Sequence, residues 1–321
     1  MNWLFPKQMA IAASMVLALS VCAGRAWATD LSGTISSTVT IFDDSRLVGD
    51  VTCAVPLSSN GANACIVFGR DHIQLNLNGH TISGPVVPPT GCSLPTDTNF
   101  GVGVFVNGNA DVEIDGPGVI QYFERWGILL QSASHVTIRK VTVNRNCWSG
   151  MQTIGTSDSN SEEDFWINNA AGSNGAACGG ICLANSNKNR MHKSTFYGNG
   201  SVDYANGNVD FGIGFEGSSS ENLVEEDNIG GNTNGVFFFN TSSDNVVRHN
   251  IILGNPAAQV IKTFVLANQQ GADIAFRPNF AGANNEIADN FCLTYIQGAG
   301  PATAPCPNII TEGVEESATD Q

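Results

Sequence analysis

The chain has 321 residues and a formal charge of −15, yet only 13% of its residues are charged, while 35 are glycine. An acidic surface of this kind repels nucleic acid and anionic lipid. Beyond the N-terminal segment no apolar run is long enough to cross a bilayer as a helix. Sparse charge with abundant Gly, Asn and Ser suits short strands joined by many turns.

The first element is "MNWLFPKQMAIAASMVLALSVCAGRAWA". Lys7, an apolar run from Met9 to Val21 and small residues up to Ala28 form the pattern of a secretory signal cleaved after Ala28. Lipidation at Cys22 is disfavoured, because Val21 stands where a small residue is needed. Removal of the segment takes away Lys7 and Arg25 and no acid, so the −15 becomes −17. The expected location is secreted or periplasmic. Residues 29–50 read as an N-terminal capping segment.

Export suits the cysteines. Apart from Cys22 they are Cys53, Cys65, Cys92, Cys147, Cys178, Cys182, Cys292 and Cys306, an even set that favours disulfides. Cys53 with Cys65, and Cys292 with Cys306, close short loops and are the expected pairs. The other four leave three pairings open. No Cys or His spacing suits zinc.

From Cys65 onward the chain repeats. "CIVFGRDHIQLNLNGHTI", "GVFVNGNADVEIDGPGVI" from Gly103, "GILLQSASHVTIRKVTV" from Gly127, "GICLANSNKNRMHKSTF" from Gly180 and "GVFFFNTSSDNVVRHNII" from Gly235 share one frame. Each gives a strand, a Ser/Asn/Gly turn, a second strand, a polar break and a third strand. A unit of roughly 23 residues is too small to own a core, so the units must stack and bury a continuous interior. Alternation at Val104/Val106, Ile128/Leu130, Ile181/Leu183 and Val236/Phe238 supplies the inward columns. The glycine that opens most units is expected to take positive φ at a tight corner. Asn245, Asn250 and Asn290 are expected at other corners, in left-handed conformation and able to stack as ladders. The result is an all-β solenoid over 51–293, followed over 294–321 by a C-terminal disulfide loop and an acidic tail, of which "TEGVEESATDQ" is expected to be disordered.

The "LNLNGHTISG" unit, the Cys53…Cys65 lead-in and "SSDNVVRHNIILGN" resemble exported bacterial β-helix proteins with pectate-lyase-like or NosD-like repeats. The resemblance implies a single-stranded right-handed parallel β-helix and a polysaccharide or cell-surface glycan as partner. It does not fix the reaction, because this architecture carries lyases, hydrolases, epimerases, adhesins and non-catalytic proteins.

Aligned on the second strand, Ile114, Ile138, Met191, Val224 and Val247 form one inward column. The next position reads Asn76, Asp115, Arg139, Glu163, His192, Glu225, Arg248, and the one after it includes Lys140, Asp164, Lys193, Glu226, His249 and Asp289. Adjacent turns lie about 4.8 Å apart, so alternating signs attract where like signs would repel. This reads as an exposed charge ladder that fixes register, with Arg139 opposite Glu163 and Glu225 opposite Arg248.

Candidate function sits in the inserts. Trp148, Tyr197 and Tyr204 offer rings for sugar stacking, and Asp203, Asp210 and Glu216 offer carboxylates; all six are expected to edge one groove beside the first-strand sheet. The resemblance to calcium-dependent lyases implies Asp203, Asp210 and Glu216 as catalytic or calcium-holding acids, with Lys193 or Arg190 as base. The "DPHD" signature of alginate epimerases and the paired aspartates of polygalacturonases are absent. A copper role is disfavoured, since His72, His80, His135, His192 and His249 lie in different units and only Met151 and Met191 follow the signal. Two readings follow. One is a protein that binds or processes polysaccharide, as a lyase or hydrolase if it is an enzyme. The other is a non-catalytic surface, adhesive or scaffold element.

Overall fold

The computed structural model describes residues 29–55, 62–85, 92, 100–170, 179–200, 211–239, 241–255, 273–276, 280–292, 295–296 and 309–310. Cys178, Asp203, Tyr204, Asp210, Cys306 and the acidic tail lie outside them. Among the described residues every regular element is a strand.

Each turn of chain lays down three strands. One turn is Ser149–Ile154, Asn160–Glu162 and Phe165–Ile167, and the next is Gly179–Ala184, Arg190–His192 and Thr195–Tyr197. First strands stack into a ten-stranded parallel sheet. Second and third strands form a 17-stranded sheet that bends along a corner. Long strands early in the chain run through this bend. Thr137–Asn144 pairs with Asn160–Glu162 at one end and with Phe165–Ile167 at the other. The solenoid therefore has three faces, named here for the first, second and third strands. Parallel pairing already begins with Thr29–Ile35 on Ser45–Cys53 and Val39–Ile41 on Ala62–Phe68, inside the segment expected to be a cap.

Alternating side chains fill the centre. The inward column of the second strands runs Leu75, Ile114, Ile138, Ser161, Met191, Val224, Val247, Ile287. All are buried. Aromatic pairs continue the stack, with Trp166 over Phe196 at 6.3 Å and Phe238 over Phe276 at 4.5 Å.

Three hydrogen-bonded ladders, one per corner, hold the turns together. At the third corner, between third and first strands, the N–H groups of Asn146, Asn169, Asn199 and Asn232 each donate to the side-chain oxygen of the equivalent asparagine one turn on, at 2.9–3.2 Å. At the first corner Asn189, Asn222 and Asn245 do the same, ending on Asn285. The second corner carries Asp164, Ser194, Asp227, Asn250 and Asn290. The asparagines themselves do not take positive φ; Asn245 and Asn250 are buried and Asn290 is half-buried. The residue before each one does: Asp244 (φ 55°), His249 (φ 56°) and Asp289 (φ 53°) precede Asn245, Asn250 and Asn290. This corrects the expected placement of those asparagines. The left-handed residue turns the chain, and the asparagine then points inward to pair with the neighbouring turn.

The opening glycines also differ from expectation. Gly127 does not take positive φ. A Cβ added there would lie 2.7 Å from Asn146 Nδ2 and 2.9 Å from the carbonyl oxygen of Gly150. Close approach of neighbouring turns, not backbone handedness, demands glycine here.

Cys53–Cys65 forms as expected, with 5.8 Å between Cα atoms. Cys92–Cys147 resolves one of the open pairings. Cys182 and Cys292 are also disulfide-bonded.

Asn222 accepts from Asn189 N–H and Nδ2 and donates to Ser186 O and Asn245 Oδ1, all between 2.8 and 2.9 Å. Asn222→Ala strands several buried groups, so it should destabilise the protein by about 2–4 kcal/mol in urea unfolding. A loss under about 1 kcal/mol would show that the ladder follows the coil rather than holding it.

Candidate functional site

The three outer faces differ in chemistry. The outward column of the first strands is Phe105, Leu129, Gln152, Cys182, Gly214, Phe237, as expected from the sequence. It is not an open surface: Leu129 is 2%, Cys182 0% and Phe237 4% exposed. Phe211, Phe237 and Phe239 pack together, with the last two at 4.4 Å. Trp148, expected on a groove rim, is buried at 9% exposure and meets Trp126 edge-on at 6.3 Å. The Arg125 guanidinium lies 3.9 Å from the Trp148 ring centre and 4.2 Å from that of Trp126. Burial lowers its pKa to about 10. This cluster, tied by Cys92–Cys147, is a packed cation–π unit.

The second-strand face carries the charge ladder, with one slip in register. Arg139 stands opposite Glu162, not Glu163. Its guanidinium binds Asp115 at 3.0 Å and Glu113 at 2.9 Å. Glu163 takes positive φ at the second corner and pairs with Lys140 at 3.5 Å. Asp164, placed in the outer charge column by the sequence reading, is instead a buried member of the ladder inside that corner. The cause is Ser161, a polar residue in an otherwise apolar column. Glu225 and Arg248 pair as expected, at 3.0 Å. The ladder is not fully exposed, however. Glu225 is 7% and His192 5% exposed. Burial works to raise the Glu225 pKa, but hydrogen bonds from Arg190 and Arg248 outweigh it and hold the carboxyl below its usual value.

The third-strand face is the open one. Of the seven large apolar side chains exposed among the described residues, four lie here: Phe165 (47%), Tyr197 (58%), Ile251 (50%) and Phe291 (62%). Phe165, Thr195, Asn228, Ile251 and Phe291 form one outward column in successive register. Tyr197 belongs to the adjacent column, between Ile167 and Gly230. Its ring lies along the next turn, where a Cβ on Gly231 would come within 3.0 Å of it. A hollow of about 150 Å³ opens beside it, lined by Thr195, Asn228 and Ile251 among others. A cleft of about 600 Å³ runs from the same face to the second corner, lined by Phe165, Thr142, Val119, Lys140, Glu163 and Lys193 with Gly79, Pro117 and Gly118.

The residues expected to share one groove are thus distributed. Tyr197 is on the third-strand face, Lys193 at the second corner beside Glu226 at 3.9 Å, and Glu216 at the end of a first strand. Trp148 is in the buried cluster. The structure brings none of these four together. Among the described residues no group of three or more His, Cys, Asp or Glu is arranged to hold a metal ion. Nor is any described helix long and apolar enough to cross a membrane. Tyr197 was among the rings expected from the sequence, whereas Phe165 and Phe291 were missed because the third strand of each unit reads as uniformly apolar. The signal that separates them is Trp166 and Phe196, which share the inward column and so force their neighbours outward.

The architecture and its repeat define a class. Residues 102–300 match the family model for the right-handed β-helix region, and the chain belongs to that family. No curated protein matches the sequence. Among solved structures, the enzymatically active domain of tailspike protein 2 from bacteriophage CBA120 aligns at TM-score 0.54 and 12% identity, covering 83% of this chain and 38% of its own. A DFA-IIIase from Arthrobacter chlorophenolicus A6 aligns at TM-score 0.55 and 13% identity, over 80% of this chain and 67% of that one. The Dettilon tailspike protein aligns at TM-score 0.54 and 16% identity, covering 82% and 55%. Likeness at this level establishes the fold, and the chain spans well under half of the first tailspike's length.

Glu225 sits between two guanidiniums with little access to water, so Glu225→Gln should destabilise the protein by about 2 kcal/mol or more. Lys188→Ala removes an exposed pair with Glu221 at 3.9 Å and should change stability by less than about 0.5 kcal/mol. Thermal unfolding of the two variants side by side checks the contrast.

Proposed function

We propose that this chain is an exported β-helix protein that binds polysaccharide along its third-strand face. The observation that carries the reading is the concentration of exposed rings there: Phe165, Tyr197 and Phe291 on one flat, regularly stacked sheet. Soluble proteins rarely leave such a surface open without a partner. Sugar rings present apolar faces for stacking and hydroxyls at their rims. The face supplies both kinds of contact, with Gln121, Asn144, Thr195 and Asn228 interleaved among the rings. A repeating polymer also suits a surface whose own repeat is about 4.8 Å. Relatives in fold include tailspike and DFA-IIIase enzymes, which is consistent with a carbohydrate partner. Export is supported by the disulfides and by the N-terminal signal pattern.

At a formal charge near −17 after signal removal (−15 less Lys7 and Arg25), a neutral glycan binds without help, whereas a uronate polymer needs calcium to bridge to the acids. Lyase or hydrolase chemistry through Asp203, Asp210 and Glu216 is the narrower proposal. Lys193, the base the resemblance implies, stands at the second corner, apart from Glu216 at the end of a first strand.

Affinity electrophoresis across a glycan panel, with calcium and with chelator, tests the reading. Phe165→Ala and Tyr197→Ala should each weaken binding about tenfold. Phe42→Ala, equally exposed at 57% but next to the first strand of the first turn, should leave it unchanged. Binding to no glycan sinks the proposal and leaves the scaffold reading.

A further inference from the structure

The second corner breaks the pattern of the other two. Where they place asparagine turn after turn, it places Asp164, Ser194 and Asp227 in succession before Asn250 and Asn290 resume. Both aspartates are buried, at 1% exposure each. At an asparagine position the side-chain oxygen accepts a backbone N–H while Nδ2 donates twice. Asn250 Nδ2, for example, donates to Val224 O at 3.0 Å and to Asn290 Oδ1 at 2.9 Å. Asp227 keeps the accepting half, since Oδ1 receives Ser194 N–H at 2.6 Å. Its Oδ2 stands where the donor should be. By register that atom faces the Met191 carbonyl and Asn250 Oδ1, and it has no hydrogen-bond partner. Two acceptors meeting a carboxylate oxygen repel it, and a proton on Oδ2 restores the missing donor. Asp164 is the milder case: Oδ1 accepts Val141 N–H and Oδ2 lies 2.8 Å from Ser161 Oγ.

We propose that Asp164 and Asp227 form a proton-dependent lock: as neutral acids they complete the second-corner ladder, and losing their protons loosens the turns that display Phe165 and Tyr197. The lock regulates the proposed binding face and, for its effect on glycan, rests on that reading. Asp164 directly precedes Phe165, and Asp227 directly precedes the strand Asn228–Gly230 over which the Tyr197 ring lies. The charged neighbours do not substitute for the proton. Glu162 faces Asp164, and Glu225 and Asp164 face Asp227; Arg190 is the cation that acts on Asp227, and it is bound to Glu225. Glu163, Lys193 and Glu226 project outward on the same corner. Burial raises both acids accordingly, Asp164 to about 7 and Asp227 well above the usual carboxylate range.

The sign of the effect follows. In the unfolded chain both acids ionise near the ordinary value of about 4, while the folded protein keeps them protonated to higher pH. The folded state therefore holds more protons than the unfolded state above about pH 4, and stability falls as pH rises toward the folded values. Melting temperature measured from pH 5 to 9 should drop steadily for the wild type. Asp227→Asn and the double variant Asp164→Asn/Asp227→Asn, which restore the asparagine pattern, should flatten that drop and raise the melting temperature at pH 8. Infrared spectra should show the carbonyl band of a protonated carboxylic acid persisting at pH 6 in wild type and absent from the double variant. This band is read in the folded wild type alone and does not depend on how well a variant folds. Parallel melting curves for wild type and double variant, or no protonated band at pH 6, would overturn the lock. Glycan binding that weakens at alkaline pH in wild type but not in the double variant supports the regulatory role. A flattened melting profile with no glycan bound at any pH keeps the lock and removes the binding reading. Glycan bound equally by both at every pH removes the regulatory role.

Discussion

A buried side-chain oxygen that accepts the backbone N–H of the preceding turn is the contact on which the molecule depends. Strands of three residues, such as Asn160–Glu162 and Phe165–Ile167, offer few sheet hydrogen bonds each. At the corners between them the sheet is interrupted and N–H groups would be left unpaired in the interior, at a cost of about 1–3 kcal/mol apiece. The asparagine ladders carry the parallel pairing through the corners without a break. Each ladder residue bonds both backbone and side chain of its neighbours, so successive turns are fixed in rotation as well as in spacing. Flat faces and straight outward columns follow from that.

With turns so fixed, each face is a grid whose chemistry is chosen column by column. The first-strand face is packed shut with Leu129, Cys182 and Phe237 outward yet buried, and with Arg125 between two tryptophans. The second-strand face crowds its charges until Glu225 and His192 are nearly dry. The third-strand face leaves Phe165, Tyr197 and Phe291 in water. One coil thus separates tasks that a globular domain must mix around a single core.

The coil was legible in the sequence because its period is written in apolar alternation and in repeated asparagines. The inward residues Ile114, Ile138, Met191, Val224 and Val247 could be aligned without a structure. The errors have local causes. Ser161 interrupts the apolar column, and the alignment slid by one residue onto Glu163. Asn245, Asn250 and Asn290 suggested left-handed corners, but their neighbours Asp244, His249 and Asp289 turn the chain. Function was less legible, because exposure depends on what lies over a face. Nothing in "GILLQ" says that Leu129 is covered, and nothing in "FWI" says that Phe165 is bare.

The alternation of charge on the second-strand face bears on how the coil is assembled. In any stacked repeat, a segment can dock one turn too early or too late with its apolar residues still facing inward, so the core alone does not reject the mistake. Here the order Asp115, Arg139, Glu162, His192, Glu225, Arg248 does. Skipping a single turn sets Glu162 against Glu225, or Asp115 against Glu162, in a partly buried row where like charges repel. An error of two turns would restore the alternation, but it must expel a loop of some forty-odd residues at twice the repeat of about 23. The face thus proofreads the winding of the chain, discriminating most sharply against the slip that geometry makes easiest.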